Sequence, residues 1–148
     1  MPTRGALHHV EVWVADLARA QVSWGWLLAT LGYRRTDTWP DGESWHLGET
    51  YLVLEAGPDR VGDHDRRRAG VNHLAFHGGG RADVDALVTA SSEHGWTLLF
   101  ADRHPYAGGP DTYAAYLEDS QGFEVELVAD PVEQQPLRGS LDAVPGQQ

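Results

Sequence analysis

Histidine and glutamate are the side chains here best able to hold a divalent cation, and their placement is regular. The segment LHHVEV at residues 7–12 parallels VNHLAF at residues 71–76, which puts His9 and His73 at matching points 64 residues apart. Side chains alternate between the two faces of a strand. By that parity Leu7, His9, Glu11 and Trp13 share one face, and Val10, Val12 and Val14 the other. In the same way Tyr51, Val53 and Glu55 oppose Leu52, Leu54 and Ala56, while His73, Ala75 and His77 oppose Leu74 and Phe76. Near the end of the chain Glu124, Glu126 and Val128 oppose Val125 and Leu127. Each of the four segments therefore joins an apolar face, suited to pack under a helix, to a face carrying histidine or glutamate. If those polar faces line one cavity, His9, His73 and Glu126 are costly there as bare ionisable groups. A divalent cation offsets that cost by pairing with the carboxylate and both imidazoles. Alternation sets aside His8, on the wrong face, and His77, four residues beyond His73 along its strand.

The elements that must position these residues come twice in the same order. A half-buried strand over residues 6–14 leads through the N-cap Asp16 into a helix over 17–31 that ends at Gly32. Three short strands follow, at 33–38, 44–47 and 51–56, with turns at Pro40-Asp41-Gly42 and Gly48-Glu49. Residues 57–70 are polar and glycine-punctuated and read as a linker. A strand at 71–77, a helix at 81–94 closed by Gly95, and strands at 96–101, 113–118 and 123–129 repeat the pattern. The expected fold is α+β: a single domain over 1–148 made of two βαβββ modules, about 6–56 and 71–130, whose mixed sheets curve into a cup. The tail over 131–148 is rich in Pro, Gln, Gly and Asp and is expected to be mobile or loosely packed.

Composition narrows the function. A formal charge of −11 and a pI near 4.9 argue against nucleic acid or an anionic membrane surface as partner, because both need clustered positive charge. The one basic cluster, Arg66-Arg67-Arg68, reads as a solvated loop beside Asp63 and Asp65, with anion binding as the minority alternative. Cysteine is absent, which removes disulfides, thiolate ligands and cysteine nucleophiles and fits a reducing cytoplasm. No apolar run approaches a membrane span, and residues 1–14 lack the apolar core of a secretory leader. A soluble, cytoplasmic protein acting on a small molecule is expected. The six tryptophans could supply stacking surfaces, with Trp13 expected on the cavity face and Trp45 near it, and with Trp24 and Trp26 packing helix to sheet.

Three of these segments carry a resemblance. HVEVWVADL, VNHLAFH and DSQGFEVELV resemble the opening strand, the second-module strand and the closing hairpin of the vicinal oxygen chelate superfamily. That family includes glyoxalase I, extradiol dioxygenases, fosfomycin resistance enzymes and bleomycin resistance proteins. The resemblance implies His9, His73 and Glu126 as metal ligands. Glyoxalase I adds a ligand on the last strand of its first module, where Glu55 in YLVLEAG stands. That set implies nickel, cobalt or zinc and a lyase or isomerase in which Glu55 or Glu126 moves a proton.

Two further activities are implied by the same resemblance. Extradiol dioxygenases hold iron(II) on two histidines and one glutamate, and His104 in DRHPYAGG and Tyr116, ten residues before Glu126, resemble their additional active-site pair. The histidine those enzymes carry before the fifth strand has no match. Bleomycin resistance relatives bind a bulky natural product without catalysis. Family modules pair within a chain or are exchanged between two chains, so a homodimer is also expected, and the linker over 57–70 is compatible with either arrangement.

Overall fold

The computed structural model describes residues 1–132; all but the first two residues of the expected mobile tail lie outside the described residues. Strand β1 (His9–Trp13) runs into helix α1 (Leu17–Thr30), then β2 (Arg34–Trp39), β3 (Gly42–Leu47) and β4 (Thr50–Glu55). The order recurs as β5 (His73–His77), α2 (Arg81–Ser91) with a 3-10 turn at Ser92–His94, β6 (Trp96–Leu99), β7 (Ala114–Asp119) and β8 (Glu124–Val128). These are the two expected βαβββ modules. Their four-stranded sheets have the matching orders β1-β4-β3-β2 and β5-β8-β7-β6, with the first and last strands of each module parallel and the other pairs antiparallel.

Local chemistry explains the boundaries. Asp16 is extended and its carboxylate accepts from Arg19 N at 3.1 Å, satisfying one orphan donor at the start of α1. Gly32 (φ 95°) and Gly95 (φ 83°) end the two helical segments in the left-handed region, where a side chain would be strained. The apolar faces read from alternation are the buried ones: Val12, Leu52, Leu54, Val125 and Leu127 all lie in one continuous core.

Helix α1 does more than cover its own sheet. Trp24 is buried and meets Trp96 edge-on at 5.4 Å and Phe123 at 6.2 Å, while Trp26 stacks on His94 at 4.6 Å. These two indoles therefore pack across the module boundary, beyond the helix-to-sheet role expected of them. Trp96 Nε1 donates to Ser23 O at 2.9 Å, and Asp16 and Gln121 exchange two hydrogen bonds of 2.9 Å. At the centre of this joint sits buried Asp119. Its Oδ1 accepts from Gln121 N and Phe123 N, both at 2.9 Å, and its Oδ2 accepts from Ser23 Oγ at 3.4 Å. Burial pushes the Asp119 carboxyl above its ordinary 3.8, opposed by the two backbone donors.

Asp119→Ala leaves two backbone donors without their acceptor and is expected to cost about 2–4 kcal/mol in urea unfolding. Asp119→Asn keeps an acceptor and is expected to cost less. Because the folded carboxyl titrates above its ordinary value, the folded protein takes up this proton first. Wild type should therefore gain stability relative to Asp119→Asn as pH falls from neutral through that raised value toward 3.8. Unfolding curves across that window check the sign.

Candidate functional site

The parallel register decides which polar residues meet. On the open face of the second sheet His73 lies opposite Glu124, and Glu126 lies two residues further along β8. His73 Nε2 stands 3.1 Å from Glu126 Oε2. Tyr116, opposite Glu126 on β7, donates its hydroxyl to Glu126 Oε1 at 2.9 Å, and its ring meets the His73 ring edge-on at 5.7 Å. Burial first, then the bond to Glu126 and the charges of Glu126 and Glu124, push the Tyr116 phenol up to about 12. Tyr116 therefore remains a neutral donor through the physiological range.

Behind His73, its Nδ1 lies 2.6 Å from Asn72 Oδ1 and 3.2 Å from Glu124 Oε2. Asn72 Nδ2 donates to Arg66 O at 2.9 Å, and the Arg66 guanidinium reaches Glu124 at 3.4 Å and Glu118 at 3.6 Å. His64 stacks flat on Phe123 at 4.0 Å, and burial lowers its pKa against the pull of Asp119 and Asp65. So Arg66 is not solvated, as the basic cluster was expected to be. This part of the linker is pinned to the second module.

On the first sheet His9 is exposed and stacks on Tyr51 at 4.6 Å, which stacks in turn on His46 at 4.6 Å. His8 was expected on the opposite face. Because β1 begins only at His9, the residue before it is free of alternation, and His8 Nδ1 lies 2.9 Å from His9 Nδ1. Glu55 does share the open face with His9, yet the two are not neighbours. His9 pairs with Tyr51 and Glu55 with Trp13, so four residues separate them along the strand direction, roughly 13 Å at about 3.3 Å per residue. The first-module positions that match Glu124 and Glu126 hold Tyr51 and Val53. Glu55 instead accepts from Trp39 Nε1 at 2.7 Å and is closely backed by Gly42 and Gly57, where added Cβ atoms would lie 2.6 and 2.7 Å from its oxygens. The expected place of Glu55 beside His9 is thus corrected by the register.

Two more expectations change. Trp45 is buried beneath α1, against Gly25, because its parity on β3 puts it opposite Leu52 on the helix side; it is no cleft residue. Trp13 is on the open face and 46% exposed. His104 is half-buried in the loop between β6 and β7, where its backbone N–H donates to Phe100 O at 2.9 Å. The part of that loop that closes on Tyr116 is Gly108, where a Cβ would lie 2.6 Å from the phenol oxygen and 3.7 Å from Glu126 Oε1. Phe100, at φ 54° in the left-handed region, also packs edge-on against Tyr116 at 5.6 Å.

Among the described residues no three His, Asp or Glu side chains are gathered closely enough to hold one ion. His73 and Glu126 nevertheless fit as two of its donors. Their 3.1 Å separation suits adjacent positions around a small divalent ion with bonds of about 2.0–2.2 Å. The edges of β1 and β5, each paired on one side only, face a crevice of about 390 Å³ lined by Val10, Trp13, Asn72, His73 and Phe123 among others.

Comparison with known proteins gives this arrangement its family. The model of the Glyoxalase/Bleomycin resistance protein/Dioxygenase superfamily matches residues 8–116. The chain belongs to that superfamily. The Bacillus subtilis protein YqjT is 40% identical over 125 residues, covering 83% of this chain and 98% of that one. A proposed glyoxalase from Bacillus halodurans is 43% identical with a TM-score of 0.81, covering 86% of this chain and 97% of that one. A point mutant of the fosfomycin resistance protein FosX of Listeria monocytogenes, in complex with Mn(II) and 1S,2S-dihydroxypropylphosphonic acid, has a TM-score of 0.62 at 17% identity over 88% of this chain and 94% of that one, and shares the fold.

Residues that alternation and resemblance did not single out are Asn72, Arg66, Glu124 and Gly108. Glu124 carries the parity of Glu126 and was within reach of that reading. The others act through a backbone carbonyl, a linker path and a missing side chain, for which the sequence has no periodic signal.

Tyr116 is expected to stay un-ionised until about pH 12. The tyrosinate absorbance difference between wild type and Tyr116→Phe isolates its titration. In Glu126→Gln that titration should move down, because the carboxylate charge is gone while burial remains.

Proposed function

We propose that this protein is a divalent-metal-dependent enzyme of the glyoxalase-like lyase or isomerase kind, acting on a small molecule that carries neighbouring oxygens. The observation that carries the reading is the convergence of His73 Nε2 and Glu126 Oε2 at 3.1 Å, with Tyr116 holding the second carboxylate oxygen. His9 is the third proposed ligand, brought from β1 by its own chain or by a second copy in a homodimer. Tyr51 and Val53 at the matching first-module positions argue for a three-donor set without Glu55.

When bound, a nickel, cobalt, zinc or iron ion supplies Lewis-acid polarisation of two adjacent substrate oxygens. The chain's own residues do the rest. Tyr116, kept neutral, fixes the Glu126 carboxylate in one orientation. Glu126 is the proposed proton carrier of the lyase or isomerase reading. Exposed Trp13 offers an apolar wall on the face of His9. The manganese and diol ligand of FosX show what one member of this fold holds.

A second reading, iron(II)-dependent ring cleavage, is favoured by the two-histidine, one-carboxylate set and by the Tyr116 bond to Glu126. It gains nothing from His104, since Gly108 takes the place beside Tyr116. Sequestration of a natural product is the reading left if no metal is held.

Elemental mass spectrometry of untagged protein is expected to find about one divalent ion per chain, since a preorganised N/O site retains its ion. Retention should be lost in His73→Ala and Glu126→Gln, weakened in His9→Ala, and unchanged in Glu55→Gln. Wild-type protein that holds no ion after reconstitution would falsify the enzyme reading. Oxygen uptake by anaerobically iron-loaded protein supplied with catechols would select ring cleavage over proton transfer.

A further inference from the structure

We infer that Asn72, anchored by the linker, is the positioning residue that prepares His73 as a metal ligand, an inference that rests on the reading above. The direction of each hydrogen bond follows from the atoms. Arg66 O can only accept, so the Asn72 atom 2.9 Å from it is the amide nitrogen. That turns Asn72 Oδ1 toward His73 at 2.6 Å. An amide oxygen also only accepts, so His73 Nδ1 must carry the proton and donate. In a neutral imidazole the other nitrogen is then bare. That other nitrogen is Nε2, which faces Glu126 Oε2 at 3.1 Å.

With Nδ1–H directed at Asn72, Nε2 is the ring nitrogen left to meet a cation beside Glu126 Oε2. Glu124 adds to it. Its Oε2 lies 3.2 Å from the same Nδ1, and its Oε1 is held by Arg66 Nη1 at 3.4 Å, so a carboxylate backs the donating side of the ring. Metal-bound histidines elsewhere use such a partner on the second nitrogen to fix the tautomer and raise basicity. Here the partner is a side chain that precedes the ligand by one residue and is itself held by the linker between modules. Residues 66–72 are thus part of the metal site without touching the ion.

The test uses the full chain in two states. In metal-free protein, at a pH high enough to hold the ring neutral, ¹⁵N-histidine NMR is expected to find His73 with its proton on Nδ1. Asn72→Leu should move that proton toward Nε2, where Glu126 accepts it. Asn72→Asp, which gives up the bond to Arg66 O but keeps an acceptor for Nδ1, should leave the tautomer as in wild type. In the second state, cobalt(II) titration followed by its visible absorption should show roughly 10- to 100-fold weaker binding in Asn72→Leu, the size usual for loss of such a partner. Asn72→Asp should lie nearer to wild type. An unchanged tautomer in Asn72→Leu, with Glu124 taking over as acceptor, overturns the positioning role whatever the metal does. Wild-type protein that binds no cobalt overturns the metal reading instead, and the two failures are read on different instruments.

Discussion

Everything in this molecule that bears on function depends on how the first and last strands of each module pair. In a βαβββ unit the helix returns the chain so that these two strands lie side by side and parallel, and their register sets which residues form a row across the open face. In the second module the register puts His73 beside Glu124 and within reach of Glu126. In the first module the same register puts His9 beside Tyr51 and leaves Glu55 in the row of Trp13. A two-residue difference in where a glutamate falls separates a paired donor from one engaged by an indole. The modules repeat in topology, but only the second gathers a histidine, two carboxylates and a phenol.

The joint between modules is of a different kind. Helix α1 leans its tryptophans on Trp96, His94 and Phe123, and the tight turn after β7 wraps its backbone donors around the Asp119 carboxylate. A buried carboxylate in that place is costly unless its acceptors are filled, and here they are filled by its own turn and by Ser23 of the helix. The turn therefore shapes itself and receives the neighbouring module with one side chain.

Most of the fold was legible because it rests on short-range periodicity. Alternation identified the buried faces of β1, β4, β5 and β8, the helix-ending glycines marked both helices, and repetition of the order announced two modules. The site was legible only where one strand sufficed. His73, Glu126 and Tyr116 follow from spacing and resemblance, whereas the separation of His9 from Glu55 is a matter of register between strands that no single segment encodes. Trp45 failed for a related reason: its side is set by its pairing with helix-facing Leu52 between β3 and β4, which its own short segment does not encode. Asn72 and Gly108 matter through a polar atom handed on from a carbonyl and through the absence of a side chain, and neither leaves a pattern to read.

The pinning of the linker says where this chain can bend. From His64 onward the segment is fastened to the second module, by stacking on Phe123, by the ion pairs of Arg66 and by the amide of Asn72. Ala56 N is bound to Asp41 O and so belongs to the first module. Between them lie only residues 57–63, which begin at Gly57 and include Pro58 and Gly62. Any rearrangement that carried one module away from the other would pivot in that seven-residue span, and the second module would travel with the support of its own histidine intact. The half-site at His73 is in this sense portable: it could meet His9 of its own chain or of another without being rebuilt.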